Sequence, residues 1–138
     1  MRIIGLGGFA NVRKTTILKG LINDLKRHDF NLQSSSIDPR SHDDLYAIFK
    51  NINNEDIIFI ATGGDDAAHV SDNIKEARKK GAKTLVTPYR ISRNDDVQDI
   101  IKCDSKAILI SKPKYPIESS LIESMYVKRL RSAIDALK

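Results

Sequence analysis

Gly8, Lys14 and Thr15 are spaced as in G-x-x-x-x-G-K-[ST], the pattern with which a backbone loop holds phosphate. In such a loop successive backbone N–H groups form a concave nest around phosphate oxygens, and the N-terminus of the following helix adds its partial positive charge. Gly8, Phe9, Ala10, Asn11, Val12, Arg13, Lys14, Thr15 and Thr16 would line that nest here. Lys14 would reach the outer phosphates of a nucleotide, and the Thr15 hydroxyl would ligate a Mg2+ ion held between phosphate oxygens. One part departs from the pattern, because Arg13 stands where glycine is wanted. Glycine serves there when the backbone must touch the ligand or take a positive φ, and a side chain in the left-handed region costs about 1–2 kcal/mol. The Arg13 guanidinium offers phosphate donors of its own, yet its Cβ stands where bare backbone is expected. A plainer reading is that Gly5, Gly7 and Gly8 only make a tight turn. A dinucleotide-binding G-x-G-x-x-G fails at Ala10, where the third glycine would be.

The remaining reactive side chains form no such pattern. His28, His42 and His69 share no ligand-like spacing, so no histidine metal site is expected. Cys103 is the only cysteine, which rules out an internal disulfide and fits a reducing compartment. No G-x-S-x-G elbow occurs, so a serine hydrolase is unsupported.

A phosphate loop needs a strand to deliver it and a helix to leave it. Arg2–Leu6 supplies an apolar strand, and Ile17, Leu18, Leu21, Ile22 and Leu25 follow at helical spacing. Further strands are expected over Leu32–Ile37, Asp56–Ala61, Lys83–Thr87 and Lys106–Ile110. Helices are expected over Asp43–Ile52, with Leu45, Ile48, Phe49 and Ile52 on one side, over Ala67–Lys80 before Gly81, over Asn94–Lys102, and over Ile117–Leu137. This alternation predicts an α/β fold: a three-layer, mostly parallel five-stranded sheet with helices on both faces, P-loop or Rossmann-like, in a single domain over residues 1–138. The chain's 138 residues, 41% hydrophobic and 30% charged, suffice for one real core. Ligands of such folds bind at the carboxyl ends of the strands, so Gly7–Thr16, Ser36–Arg40, Ala61–Asp66, Thr87–Arg90 and Ser111–Lys114 would rim one cleft.

With those segments side by side, the chain resembles a degenerate member of the phosphate-loop NTPases, in the class of the chromosome-partitioning ATPases (ParA and MinD type), the signal-recognition GTPases and the MobB protein of molybdenum-cofactor biosynthesis. Lys14-Thr15-Thr16 matches the class K-T-T, and Asp38-Pro39-Arg40 falls where the class carries an Asp at the end of its second strand. The class ends its third strand in D-T-P-G or D-T-P-P, whose Asp serves magnesium and water; Ala61-Thr62-Gly63-Gly64 stands there instead. The resemblance spans residues 1 to roughly 90 through short motifs, and no N-K-x-D base-recognition signature follows. It implies catalytic roles for Lys14, Asp38 and Asp65, metal ligation by Thr15, Asp38 and Asp65, and ATP or GTP with Mg2+ as the bound group. Asp65 or Asp66 would replace the carboxylate missing at Ala61, or cap the next helix instead. Asp38 is equally an ordinary Asp-Pro turn starter. Arg40 and Arg90 either bind an acidic substrate or lie on the surface.

The leading expectation is a nucleotide-binding protein with weak or absent hydrolysis, acting through a protein partner surface, with a homodimer implied by the class. Loss of the glycine and the carboxylate together should depress phosphoryl transfer heavily. The alternatives are a small nucleotide-dependent kinase or phosphotransferase, and a Rossmann-like adaptor that has lost nucleotide binding. The net charge of +5 permits nucleic acid without demanding it; the basic residues, including Lys112, Lys114, Lys128, Arg129 and Arg131, read as a solvated face. No apolar run approaches a membrane span and no signal peptide is evident, so the expected location is the cytoplasm.

Overall fold

The computed structural model describes residues 1–9, 12–64, 66–91 and 107–136. The chain runs β1 (Arg2–Gly8), α1 (Lys14–Arg27), β2 (Phe30–Asp38), β3 (Ser41–Asn51), β4 (Ile57–Ala61), α2 (Ala67–Lys79), β5 (Thr84–Arg90), β6 (Ile108–Ser111) and α3 (Ser120–Ala136). The fold is α/β, with one six-stranded mixed sheet ordered β2-β3-β4-β5-β1-β6. The helix expected over Asn94–Lys102, together with Cys103, lies outside the described residues.

The five expected strands are all present and all run in one direction. β1 pairs in parallel with both β5 and β6, and β4 with β5. The correction is a sixth strand. Asp43–Ile52 is not a helix but most of β3, which pairs antiparallel with β2 and with β4. The helical spacing of Leu45, Ile48, Phe49 and Ile52 is outweighed by burial of alternate residues. Ala47 and Phe49 face one apolar cluster while Tyr46 and Ile48 face the other, which only a period of two allows. Pro39 in the preceding turn and the aromatic, β-branched run after it are hairpin chemistry.

Each central strand divides its side chains in this way. Ile4 and Leu6 of β1 join Ile17, Leu18, Leu21 and Leu25 of α1 and Tyr126, Leu130 and Ile134 of α3. Ile3 of β1, with Phe59, Leu85 and Tyr89, joins Val70, Ile74 and Ala77 of α2. Gly5 and Gly7 are therefore strand residues rather than turn formers. They lie on the α2 side, where the Tyr89 ring fills the space a Cβ at either position would need.

Candidate functional site

Because five strands point the same way, the ends of β1, β4, β5 and β6 gather at one edge of the sheet, and α1 starts there. Gly8 ends β1 in tight surroundings: a Cβ would lie 2.8 Å from the Lys112 carbonyl oxygen and 2.6 Å from Val12 Cγ2. Backbone bonds fix this corner, with Lys112 N donating to Gly7 O at 2.7 Å and Ile91 N donating to Gly8 O at 3.0 Å. Phe9 is exposed and Val12 is buried. Ala10 and Asn11 lie outside the described residues.

Arg13 precedes α1 with φ 65° and ψ 32°, in the left-handed region. The backbone thus takes, at the arginine, a conformation that favours glycine. Arg13 then hands over to right-handed Lys14, and such a left–right pair of residues turns successive amides toward one side. The guanidinium leaves the turn and donates from Nη1 to Glu123 Oε1 of α3 at 2.9 Å. The Arg13 side chain makes no cap bond to α1, and the helix's first turn holds no acidic residue. α2 begins differently, with Asp66 accepting from His69 N at 2.8 Å. Asp66 is therefore a cap. Asp65 lies outside the described residues.

Lys14 spans the turn. Its Nζ donates to Gly8 O at 2.7 Å and to Tyr89 O at 3.2 Å, tying the ends of β1 and β5 to the start of α1. Thr15 Oγ1 donates to Thr62 O at 3.1 Å and lies 3.4 Å from Asp44 Oδ1, while Thr16 is exposed. Asp44 comes from the start of β3. It reaches this edge because β3 runs against its neighbours, so that its beginning lies beside the end of β4, where Tyr46 pairs with Ala61. Thr62 Oγ1 donates to Asp44 Oδ1 at 3.0 Å and accepts from Leu45 N at 2.9 Å. Ala61, where the class carries a carboxylate, is fully buried among apolar side chains.

Asp38 has other partners. It is 1% exposed, with Oδ2 2.6 Å from His69 Nε2 and Oδ1 accepting from Arg40 N at 2.9 Å. The His69 bond fastens the β2–β3 turn to α2, and the Arg40 bond closes the turn on itself. Arg40 strengthens this clasp by pairing with Asp72 at 2.6 Å, and that hydrogen bond raises its pKa. Arg40 is thus engaged within the fold, while Arg90 is exposed.

Lys112 departs from the expected solvated face. It is 1% exposed, donates to both carboxylate oxygens of Glu118 at 3.0 Å, and lies over the Tyr115 ring at 5.1 Å. The Lys112 bonds and the Tyr115 N–H hold the Glu118 carboxyl below its ordinary pKa. Exposed Leu121 and Met125 of α3, and Ile117 just before it, lie on the same stretch as Glu118 and Glu123.

The structure therefore brings Gly8, Val12, Arg13, Lys14 and Thr15 into one turn and turns Asp38 to a different set of contacts. Asp44 escaped the sequence reading because the helix assigned to it hid its place at the sheet edge. The signal was present in Asp-Pro-Arg followed by Asp43-Asp44 and an aromatic, β-branched run, which together spell a turn and a returning strand. Among the described residues no group of three or more His, Cys, Asp or Glu could hold a metal ion, and no helix is long and apolar enough to cross a membrane. Comparison with protein-family models, curated proteins and solved structures finds no match to this chain, so the functional reading rests on its geometry.

Proposed function

We propose that this chain is a three-layer phosphate-loop protein that binds ATP or GTP, with Mg2+, at the β1–α1 turn, and that it hydrolyses the nucleotide weakly or not at all. The observation that carries the reading is Arg13, held left-handed at the glycine position before a helix that opens with Lys14 and Thr15 and has no acidic residue in its first turn. A non-glycine residue there costs energy, and the first amides of any helix have no partner within it. Bound phosphate would answer both the amides and the helix's partial charge. Lys14 would exchange the carbonyls of Gly8 and Tyr89 for phosphate oxygens. The bond to Glu123 draws the Arg13 side chain away from the turn, which leaves the phosphate side to the backbone.

Weak turnover follows from the surroundings. Ala61 brings no carboxylate, and Asp38, engaged by His69 and Arg40, is poorly disposed to act as a base. Exposed Ile117, Leu121 and Met125, on the same stretch as Glu123, suit a protein partner or second copy. Titration of the full chain with fluorescent ATP and GTP analogues, displaced by unlabelled nucleotide, tests the reading. Saturable binding below millimolar, weakened tenfold or more by Lys14→Ala, is expected. Absence of saturable binding at millimolar nucleotide overturns it.

A further inference from the structure

Two aspartates are buried among the described residues, Asp38 and Asp44, and only one has a basic partner. Asp38 faces His69. Asp44 is 8% exposed and forms no ion pair with any described Lys, Arg or His. Its Oδ1 receives the Thr62 hydroxyl at 3.0 Å and lies 3.4 Å from the Thr15 hydroxyl, while Oδ2 accepts no hydrogen bond from a described residue. Gly63 makes room for that oxygen, since a Cβ there would stand 2.5 Å from Oδ2. A carboxylate that is mostly buried and has no counter-charge is costly, and a bound cation is one way to offset that cost.

We propose that Asp44 and Thr15 are the protein ligands of a divalent cation bound together with nucleotide at the β1–α1 turn. This rests on the phosphate-binding reading of that turn. Carboxylate and hydroxyl oxygens form a hard donor set, suited to Mg2+, which commonly takes one or two protein oxygens and completes its shell with water and substrate phosphates. No larger ligand cluster occurs among the described residues, so the cation depends on nucleotide for its remaining ligands. The metal carboxylate then comes from β3, neither from Asp38 nor from the Ala61 position.

The experiment compares wild type, Asp44→Asn and Thr15→Ala in two readouts. The first is the affinity for a fluorescent ATP analogue in EDTA and in Mg2+. Wild type should bind in both and at least tenfold more tightly with Mg2+. Asp44→Asn should keep its metal-free affinity and lose most of that gain, and Thr15→Ala should lose part of it. The second readout is the melting temperature without metal or nucleotide, which Asp44→Asn should raise by removing an unpaired buried charge. A carboxylate that only anchors Thr62 would instead leave the metal gain intact and lower the melting temperature on substitution, and either result overturns the inference. If Asp44→Asn does not fold, the unpaired-charge argument is refuted outright. If wild type binds nucleotide equally with and without Mg2+, the cation site fails while phosphate binding stands, whereas no binding in either buffer overturns both.

Discussion

At the residue scale, two positions other than glycine have positive φ among the described residues, Arg13 at 65° and Glu55 at 62°. Substituting Arg13 by alanine or by glycine removes the same ion pair with Glu123, which is half-exposed and worth less than about 1 kcal/mol. The two variants differ in left-handed strain. Arg13→Gly should therefore be about 1 kcal/mol more stable than Arg13→Ala in urea denaturation, and equal stabilities would mean that the left-handed turn is absent in solution. If phosphate-loop geometry is present, Arg13→Gly should also tighten nucleotide binding, and Lys14→Ala in that background should abolish the gain. The left-handed turn falls at the residue that spacing singles out, Arg13, which stands where the pattern wants glycine. The destination of the guanidinium was not legible, since Glu123 is distant in sequence and only the packing of α3 on α1 brings it near.

At the element scale, the β2–β3 hairpin determines which carboxylates reach the site. Sequence patterning gave every strand of the common direction, because each is an apolar run bounded by turn residues. It failed at β3, where a run with alternate residues buried on both faces of a sheet also satisfies helical spacing; the two periods agree over short apolar stretches, and pairing partners decide between them. For the same reason Asp44, and not Asp38, lies beside Thr15. The hairpin is held to α2 by a buried polar chain in which Tyr46 Oη donates to Asn73 Oδ1 at 2.9 Å, and Asn73 Nδ2 donates to Gly63 O at 2.8 Å and to Thr87 Oγ1 at 3.0 Å. Tyr46→Phe leaves Asn73 Oδ1 buried without its donor and should cost about 1–3 kcal/mol by denaturant titration. The same residue sets a pH dependence. Burial pushes the Tyr46 phenol from 10.0 up to about 12, so the folded state favours the neutral form. The stability this supplies is complete below pH 10 and is lost as pH rises from 10 through 12, when the unfolded chain's phenol ionises first. Tyr46→Phe should accordingly flatten the alkaline limb of the stability profile, and an unchanged limb would mean that Tyr46 is not buried.

At the scale of the whole molecule, the two apolar clusters on opposite faces of one sheet meet the candidate site only along its edge. β1 belongs to both clusters, ends at Gly8, and passes directly into α1, so a ligand at the turn is coupled to the core on each side. The sheet leaves that edge only partly fastened. Lys14 bonds to the ends of β1 and β5, and the Lys112–Glu118 pair seals the corner beyond β6. Glu118 is held below its ordinary pKa, so its contribution is present above the carboxylate range and is lost as pH falls through the lowered value. Glu118→Gln should lower the melting temperature at neutral pH, and its difference from wild type should vanish in acid; a difference that persists in acid would assign the effect to packing instead of charge. A ligand that binds the folded turn and not the unfolded chain adds RT ln(1 + [L]/Kd), about 2.7 kcal/mol at a hundredfold excess over Kd. For a domain of this size that corresponds to a rise of roughly 10 °C in melting temperature. Scanning calorimetry with saturating Mg2+ and ATP or GTP should show such a rise for wild type and little for Lys14→Ala. Because the shift is read from unfolding of the entire core, equal melting curves with and without nucleotide would mean that the turn takes no phosphate.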